Sequence, residues 1–180
     1  ETDLDAVERA ALAHEEVGEI ETLLRLARSL PEDTKLGALR EAIDELRASG
    51  HAQVMVFTQF TDTMDLLREN LSGQGDLKLM CFSGRGGEIR GHDGAWRVIS
   101  RDETKHRFRQ VEAHILLCTD AAAEGLNFQF CGALINYDMP WNPMRVEQRI
   151  GRIDRLGQRF PEIRIINLHY EDSIEADVYR

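Results

Sequence analysis

The stretch VMVFTQFTDTMDLLRENLSGQGDLKLMCF, residues 54–82, decides the fold. It begins with a short apolar run at 54–57, continues with an amphipathic helical pattern from Thr61 to Leu71, and ends with a second apolar run at 77–82. Thr61 is a plausible N-cap for this helix. Short apolar strands separated by a helix are typical of a parallel sheet that is covered on both faces.

The same alternation continues on both sides of this stretch. Further helices are predicted at 4–30, 35–48 and 100–110, and further strands at 114–118, 133–137 and 163–169. A helix carrying several arginines lies between the last two strands, and the glycine-rich stretch 83–94 is predicted to be a loop. The pattern therefore predicts an α/β fold with a mostly parallel sheet, preceded by N-terminal helices.

Charge is distributed unevenly along the chain. The net charge of −10 argues against nonspecific binding of nucleic acid by the whole surface. Residues 1–50 carry seven more acids than bases, whereas residues 83–109 and 141–160 each carry three more bases than acids. A local basic face on an acidic body favours a specific phosphate site over a general polyanion binder.

Cysteine and histidine spacing indicates neither disulfides nor a metal site. Cys81, Cys118 and Cys131 lie in or near apolar runs without paired spacing, so we expect buried, reduced thiols and a reducing compartment. The six histidines are scattered without ligand spacing. No apolar run approaches the roughly 18 residues of a membrane-spanning helix.

Polar and glycine-rich segments follow four of the predicted strands, at 58–60, 83–87, 119–120 and 138–143. If the sheet is parallel, these segments share one edge, where ligands of open α/β sheets bind. Their hydroxyls, amides, glycines and arginine suit phosphate. Three stretches also have a structural alternative: 83–87 as a flexible connection, 141–143 as a capped helix start with Trp141 packed on the core, and 124–127 as a turn. Asn142 and Pro143 are a favourable N-cap and first residue for the arginine helix.

The segment QRIGRIDR, residues 148–155, places Arg149, Arg152 and Arg155 at three-residue intervals. On a helix they would fall within an arc of roughly 120° together with Gln148. Guanidinium groups bind phosphate oxygens bidentately, so the row is suited to polyphosphate or a nucleic-acid backbone. The alternative is a solvated helix face beside an apolar stripe formed by Val146, Ile150 and Ile153.

Three segments taken together are more specific. CTDAAAEGLNFQFC (118–131), INYDMPWNP (135–143) and EQRIGRIDRLGQ (147–158) resemble, in this order, the second RecA-like lobe of superfamily 2 helicases and translocases. The resemblance covers about residues 34–170 and is closest to the Swi/Snf family, in its bacterial RapA-like branch. It implies a RecA-like three-layer α/β/α domain at 34–180, with residues 1–33 as a helical linker or extension.

The resemblance also implies roles for individual residues. Arg152 and Arg155 would be arginine fingers, and Gln148 would lie near the phosphates or the attacking water. Residues near the nucleotide would be Glu124, Gly125 and Asn127. Residues facing the nucleic-acid backbone would be Thr58, Gln59, Ser83, Gly84, Arg85, Thr119 and Trp141. Arg149 is left with a structural or supporting role.

The parent protein implied by this family is an ATP-dependent translocase on double-stranded DNA, cytoplasmic and nucleoid-associated in bacteria. ATP would be shared with an N-terminal RecA-like lobe that also holds Mg²⁺. The 180 residues contain no Gly-Lys pair for a Walker A loop, and Asp44-Glu45 lies inside a predicted helix. We therefore expect this chain alone to hydrolyse no ATP.

Two departures from the family pattern limit the transfer of roles. The segment 83–103 is longer than the common connection, so the roles of Arg85, Arg90 and Arg97 cannot be transferred with it. Asp120 places a carboxylate beside the expected nucleic-acid track, where it would repel phosphate unless it turns away or pairs with an arginine.

Two other functions compete with the ATPase lobe. The chain could be a non-catalytic protein- or nucleic-acid-binding module on a helicase scaffold, with the acidic helices of residues 1–50 docking a partner protein. It could also be an unrelated nucleotide-binding α/β domain. The intact arginine motif argues against a scaffold, because a scaffold needs no arginine fingers.

Overall fold

The computed structural model describes residues 2–30, 33–73, 75–120, 127–171 and 173. The helices within these residues are α1 Thr2–Ser29, α2 Thr34–Ala48, α3 Thr61–Leu71, α4 Arg101–Arg109 and α5 Pro143–Ile150. The strands are β1 Val54–Thr58, β2 Leu79–Ser83, β3 Gly86–Arg90, β4 Trp96–Ile99, β5 Ile115–Thr119, β6 Ala133–Asn136 and β7 Arg164–Asn167.

The strands form one sheet in the order β4-β3-β2-β5-β1-β6-β7. The pairs β2/β5, β5/β1, β1/β6 and β6/β7 are parallel, and only the β3 and β4 pairings are antiparallel. The predicted mostly parallel sheet is thus confirmed. Its five parallel strands all end at one side of the sheet, which we call the carboxyl edge.

The two faces of the sheet bury separate apolar clusters, because successive side chains of a strand point to opposite faces. On one face, Val56 of β1 packs in a cluster with Leu39 of α2 and Leu67 of α3. On the other face, Phe57 belongs to a cluster that includes Phe108 of α4. Burial of one such side chain contributes about 1.5–3 kcal/mol. Helices on both faces give the three layers predicted for a RecA-like domain.

The cysteines are buried and unpaired, as predicted. Burial raises the pKa of the Cys131 thiol to about 12, so this sulfur stays protonated and unreactive at neutral pH.

The glycine-rich stretch 83–94 is not a loop, and this prediction was wrong. It contains β3, which turns back through 91–95 into β4, and this hairpin extends the sheet beyond β2. Gly87 is required there by packing, since a Cβ at this position would lie 1.8 Å from Oγ1 of Thr104. The glycines of the stretch 83–94 allow α4 to pack closely and the chain to turn sharply, so they do not indicate a flexible connection.

The arginine helix begins as predicted but ends earlier. Asn142 caps α5 by accepting a hydrogen bond from the Met144 amide at 3.0 Å, and Pro143 follows it. The helix stops at Ile150, so the expected row of three arginines on one helix face was wrong. Beyond it, the Arg152 carbonyl accepts a hydrogen bond from the Phe128 amide at 2.8 Å. The amides of Arg152 and Ile153 donate to the carbonyls of Arg149 and Ile150, three residues back, at 3.0 and 2.9 Å, so the helix tightens into a turn. Thr61 likewise is not the cap of α3: the N-cap is Phe60, without a side-chain hydrogen bond.

The chain separates into two compact units, Glu1–Thr34 and Lys35–Arg180. The second unit contains the sheet. In the first unit α1 exposes apolar side chains, among them Val17, Ile20, Leu23 and Leu26. Within the described residues, no helix combines the length and apolarity needed to cross a membrane.

Candidate functional site

The carboxyl edge gathers the segments that were predicted to share it. Ser83, Thr119 and Thr58 end the neighbouring strands β2, β5 and β1, and Asp138 follows β6 by two residues. The loop after β1 contacts the loop after β6 directly, since the Gln59 side chain donates to the Met139 carbonyl at 3.2 Å. The expected common edge is therefore confirmed by the strand order.

Hydroxyl side chains at this edge are buried. The exposed fractions of Thr58, Ser83 and Thr119 are 1%, 3% and 4%. Thr58 donates its hydroxyl hydrogen to a carboxylate oxygen of Asp138, and the Ser83 hydroxyl oxygen accepts from the Arg85 amide at 3.2 Å. A ligand at the edge would meet exposed groups such as Gly84 before these hydroxyls.

Arg149 organises the centre of the edge. Its guanidinium is only 2% exposed and holds both carboxylate oxygens of Asp120, through Nε at 2.5 Å and Nη2 at 2.9 Å. Its Nη1 donates to Oδ1 of Asn136 and to the carbonyl of Asp138, each at 2.9 Å. We refer to Arg149, Asp120, Asn136, Asp138 and Thr58 as the Arg149 cluster. The sequence left open whether the Asp120 carboxylate would repel a phosphate or pair with an arginine. In the structure it pairs with Arg149.

Asp138 is the second carboxylate of the Arg149 cluster. Its oxygens accept from the Gln59 amide at 2.9 and 3.1 Å, and one lies 3.6 Å from Nη2 of Arg149. Burial raises the pKa of Asp138, and the hydrogen bond from Thr58 and the charge of Arg149 offset this only in part. Loss of any of these hydrogen-bond donors would therefore destabilise the ionised form of Asp138.

The residues expected at the phosphates lie on either side of the end of α5. Gln148 and Arg155 are exposed and Arg152 is half-buried. Arg155 donates from Nε to the Gly151 carbonyl at 2.8 Å. Both arginines belong to the turn that follows the helix.

Asn127 makes local hydrogen bonds. Its amide nitrogen donates to Oε1 of Gln129 at 2.9 Å, and its amide oxygen accepts from the Gln129 backbone at 3.1 Å. Glu124 and Gly125, also predicted near the nucleotide, lie outside the described residues.

Arg85 is exposed but already paired. Its guanidinium binds both carboxylate oxygens of Asp65, at 2.6 and 3.0 Å, and lies 3.6 Å from Glu88. Asp65 also pairs with Arg68 at 3.2 Å. The hydrogen bond from Arg85 is the main reason why the pKa of Asp65 is lowered. Trp141, in contrast, is 67% exposed, so its alternative as a core residue was wrong.

Asn136 is absent from the predicted site residues although it belongs to the Arg149 cluster. It is fully buried and also donates to the Asn167 side chain of β7 at 2.7 Å. Its signal in the sequence is an amide inside an otherwise apolar strand, because a buried polar side chain requires partners.

Comparison with known families adds to this geometry. The family described as "Helicase conserved C-terminal domain" matches residues 34–157. The chain belongs to this family. The matched range of the helicase C-terminal domain includes the Arg149 cluster, both candidate finger arginines and the hairpin of β3 and β4.

Two bacterial proteins are among the curated relatives of this helicase C-terminal domain. One is "Uncharacterized ATP-dependent helicase YqhH" of Bacillus subtilis (strain 168), 39% identical over 128 residues, or 71% of this chain and 21% of that protein. Another is "RNA polymerase-associated protein RapA" of Vibrio vulnificus (strain YJ016), 33% identical over 129 residues, covering 71% of this chain and 12% of that protein. The chain thus spans about a fifth or less of these relatives. The predicted resemblance to the RapA-like branch is confirmed.

Solved structures agree on the fold. The C-terminal part of the Fun30 ATPase domain superimposes with a TM-score of 0.70 at 25% identity, covering 82% of this chain and 44% of that one. The Pyrococcus furiosus Hef helicase domain superimposes with a TM-score of 0.61 at 21% identity, covering 95% and 33%. These superpositions identify the sheet as that of a helicase lobe.

Proposed function

We propose that this chain is the second RecA-like lobe of a Swi/Snf-type, ATP-dependent translocase on double-stranded DNA. The observation that carries the proposal is the meeting of the four predicted loops at one carboxyl edge, beside an arginine-bearing turn. A first lobe of the same protein would hold Mg²⁺ and most of the ATP. The parent protein would act in the bacterial cytoplasm on nucleoid DNA.

Arg152 and Arg155 are the proposed arginine fingers. As the bond to the γ-phosphoryl group breaks, negative charge spreads over its oxygens, and an arginine reaching them stabilises the transition state more than the ground state. This contribution is about 10³- to 10⁵-fold in rate. Because the fingers belong to the second lobe, hydrolysis would require the two lobes to close, which couples chemistry to movement along DNA.

The donors available around the end of α5 fit an anionic ligand. Gln148 and Arg155 are exposed, and the basic excess of 141–160 surrounds them. In the proposal, Gln148 lies near the phosphates or the attacking water, and Glu124, Gly125 and Asn127 lie near the nucleotide.

The proposed nucleic-acid track follows the carboxyl edge. Its predicted members are Thr58, Gln59, Ser83, Gly84, Arg85, Thr119 and Trp141. The burial of the three hydroxyl side chains supports a division of roles, in which they shape the edge while Gly84 and Trp141 contact the DNA backbone. Arg85 could contribute charge only by sharing its guanidinium with Asp65.

The test uses the full-length parent. Arg152→Ala and Arg155→Ala are each expected to lower DNA-stimulated ATP turnover by about 10³-fold or more. Arg159→Ala is the matched control, because Arg159 is an exposed arginine of the same turn that is not a proposed finger. Melting temperatures and far-UV circular dichroism verify the fold. Near wild-type turnover in both finger variants would refute the assignment.

A non-catalytic module is the second candidate, favoured by the exposed apolar side chains of α1. Such a module would retain partner binding in a parent that binds DNA but shows no ATP turnover. The coding sequence upstream separates the two candidates, since a Walker A loop and an acidic magnesium motif are required only by the enzyme.

A further inference from the structure

Arg149 lies three residues before the first proposed finger, yet its guanidinium is almost fully occupied within the protein. Hydrogen bonds to Asp120, Asn136 and Asp138 use four of its five N–H donors, Nη2 lies 3.6 Å from a carboxylate oxygen of Asp138, and the exposed fraction of Arg149 is 2%. Its Cζ lies 5.4 Å from the centroid of the Phe57 ring, which covers one side of the guanidinium plane. An arginine enclosed in this way orients its surroundings instead of contacting phosphate.

The bonds of Arg149 join the ends of separate elements. Asp120 follows β5 and immediately precedes residues 121–127, which contain the three proposed nucleotide contacts. Asp138 follows β6 and precedes the exposed Trp141 by three residues. Arg149 itself belongs to the last turn of α5, from which the chain enters the finger turn. One buried side chain therefore links the ends of β5 and β6 to the turn that contains Arg152 and Arg155.

The shape of the guanidinium is essential to this link. Two parallel bonds to one carboxylate fix the direction of both groups, whereas a lysine would keep the charge but make point contacts. Asp120 is likewise required as a carboxylate, because an amide presents only one acceptor to the two donors.

We propose that Arg149, through its two-pronged bond to Asp120, is a positioning residue that holds the turn of Arg152 and Arg155 in register with the end of β5. This inference rests on the proposed ATPase function. Loosening the bond would displace the fingers relative to the nucleotide without removing any group that contacts ATP. A displacement of about 1 Å at reacting groups lowers rates by up to about 100-fold.

The test compares Arg149→Lys and Asp120→Asn in the full-length parent. Both variants are expected to lower kcat of DNA-stimulated ATP turnover by about 10- to 100-fold while KM for ATP stays within about twofold. The double variant is expected to lose no more than the worse single variant, because each change breaks the same bond. Arg145→Ala is the control, since Arg145 is an exposed arginine of α5 that lies 4.0 Å from Asp120.

The outcomes separate a positioning role from a structural one. If both variants melt at a lower temperature but keep wild-type kcat below that temperature, the Arg149 cluster is purely structural and the inference is overturned. Asp120→Asn keeps the inference testable if Arg149→Lys fails to fold, because Asp120 is partly exposed and its replacement has the same shape. If Arg152→Ala and Arg155→Ala also keep full turnover, the proposed function itself has failed.

Discussion

At the scale of single residues, arginines near the carboxyl edge differ in how many of their N–H donors are already bound within the protein. Arg155 exposes its guanidinium, Arg149 is enclosed by acceptors, and Arg85 is exposed but bound to Asp65. The sequence alone does not show which of these guanidinium groups are already paired within the protein. Their partners distinguish them, because a guanidinium whose donors are satisfied within the protein has to break those bonds before it binds phosphate.

Asp65 provides a residue-scale prediction with a defined pH dependence. Its pKa is lowered mainly by the hydrogen bond from Arg85, so its ionised form stabilises the fold above the ordinary pKa of 3.8. This contribution is lost as pH falls through the lowered value. Asp65→Asn is expected to reduce the free energy of unfolding by about 1 kcal/mol at pH 7, a value discounted because the pair is partly exposed.

Urea denaturation of the 180-residue chain at pH 7 and at about pH 3 measures this effect. The difference between wild type and Asp65→Asn is expected to shrink at the lower pH. Glu69→Gln, an exposed carboxylate of the same helix, serves as control. An equal deficit at both pH values would show that the ion pair is not its source.

At the scale of elements, the sequence predicts regular segments better than their ends or their partners. The strand, helix and strand of residues 54–82 were predicted within two residues of their bounds, because their apolar periodicity is local. The hairpin of β3 and β4 was missed, since the need for Gly87 arises from Thr104, seventeen positions further along the chain. The early end of α5 at Ile150 was missed as well, because the apolar spacing of Val146, Ile150 and Ile153 continues beyond the last helical residue.

Gly87 gives an element-scale prediction. Gly87→Ala is expected to destabilise the chain by about 1–3 kcal/mol, because the new methyl group would overlap the Thr104 hydroxyl and press on Ile99. Gly84→Ala is the matched control in the same stretch, since its Cβ would meet nothing within 4 Å.

Free energies of unfolding from urea titrations of both glycine variants test the explanation. Adding Thr104→Ala to Gly87→Ala is expected to recover part of the lost stability, because the overlapping hydroxyl is removed. Equal free energies of unfolding for Gly84→Ala and Gly87→Ala would contradict the steric explanation, because they would show that the hairpin accommodates the extra methyl group.

At the scale of the whole molecule, one seven-stranded sheet brings separate polar segments together at its carboxyl edge. The mostly parallel character of the sheet could be predicted from the alternation of strands and helices, and with it the shared carboxyl edge, whereas the hairpin of β3 and β4 could not. The Arg149 cluster could not, because Asp120, Asn136 and Arg149 are distant in sequence and meet only in the folded sheet. The burial of Thr58, Ser83 and Thr119 could not be predicted either, because the residue type does not determine how exposed a side chain is.

The whole-molecule prediction concerns catalysis by the chain alone. Because its 180 residues contain no Gly-Lys pair to hold the β- and γ-phosphates, the isolated chain is expected to release no phosphate from ATP above background, with or without duplex DNA. A phosphate-release assay checks this. Turnover that disappears in Arg155→Ala would contradict the prediction and require a complete site within this lobe.

The hairpin of β3 and β4 also determines how the sheet meets other protein chains. Without it, the open side of the sheet would be β2, whose five residues are all buried and four of them apolar. Such an edge invites pairing with strands of neighbouring molecules. The hairpin moves the open side to β4, a strand of four residues that carries the exposed Arg97. Short edge strands and exposed charges oppose pairing with other chains, so the shortness of β4 and the charge of Arg97 counteract the exposed Val98 on the same strand.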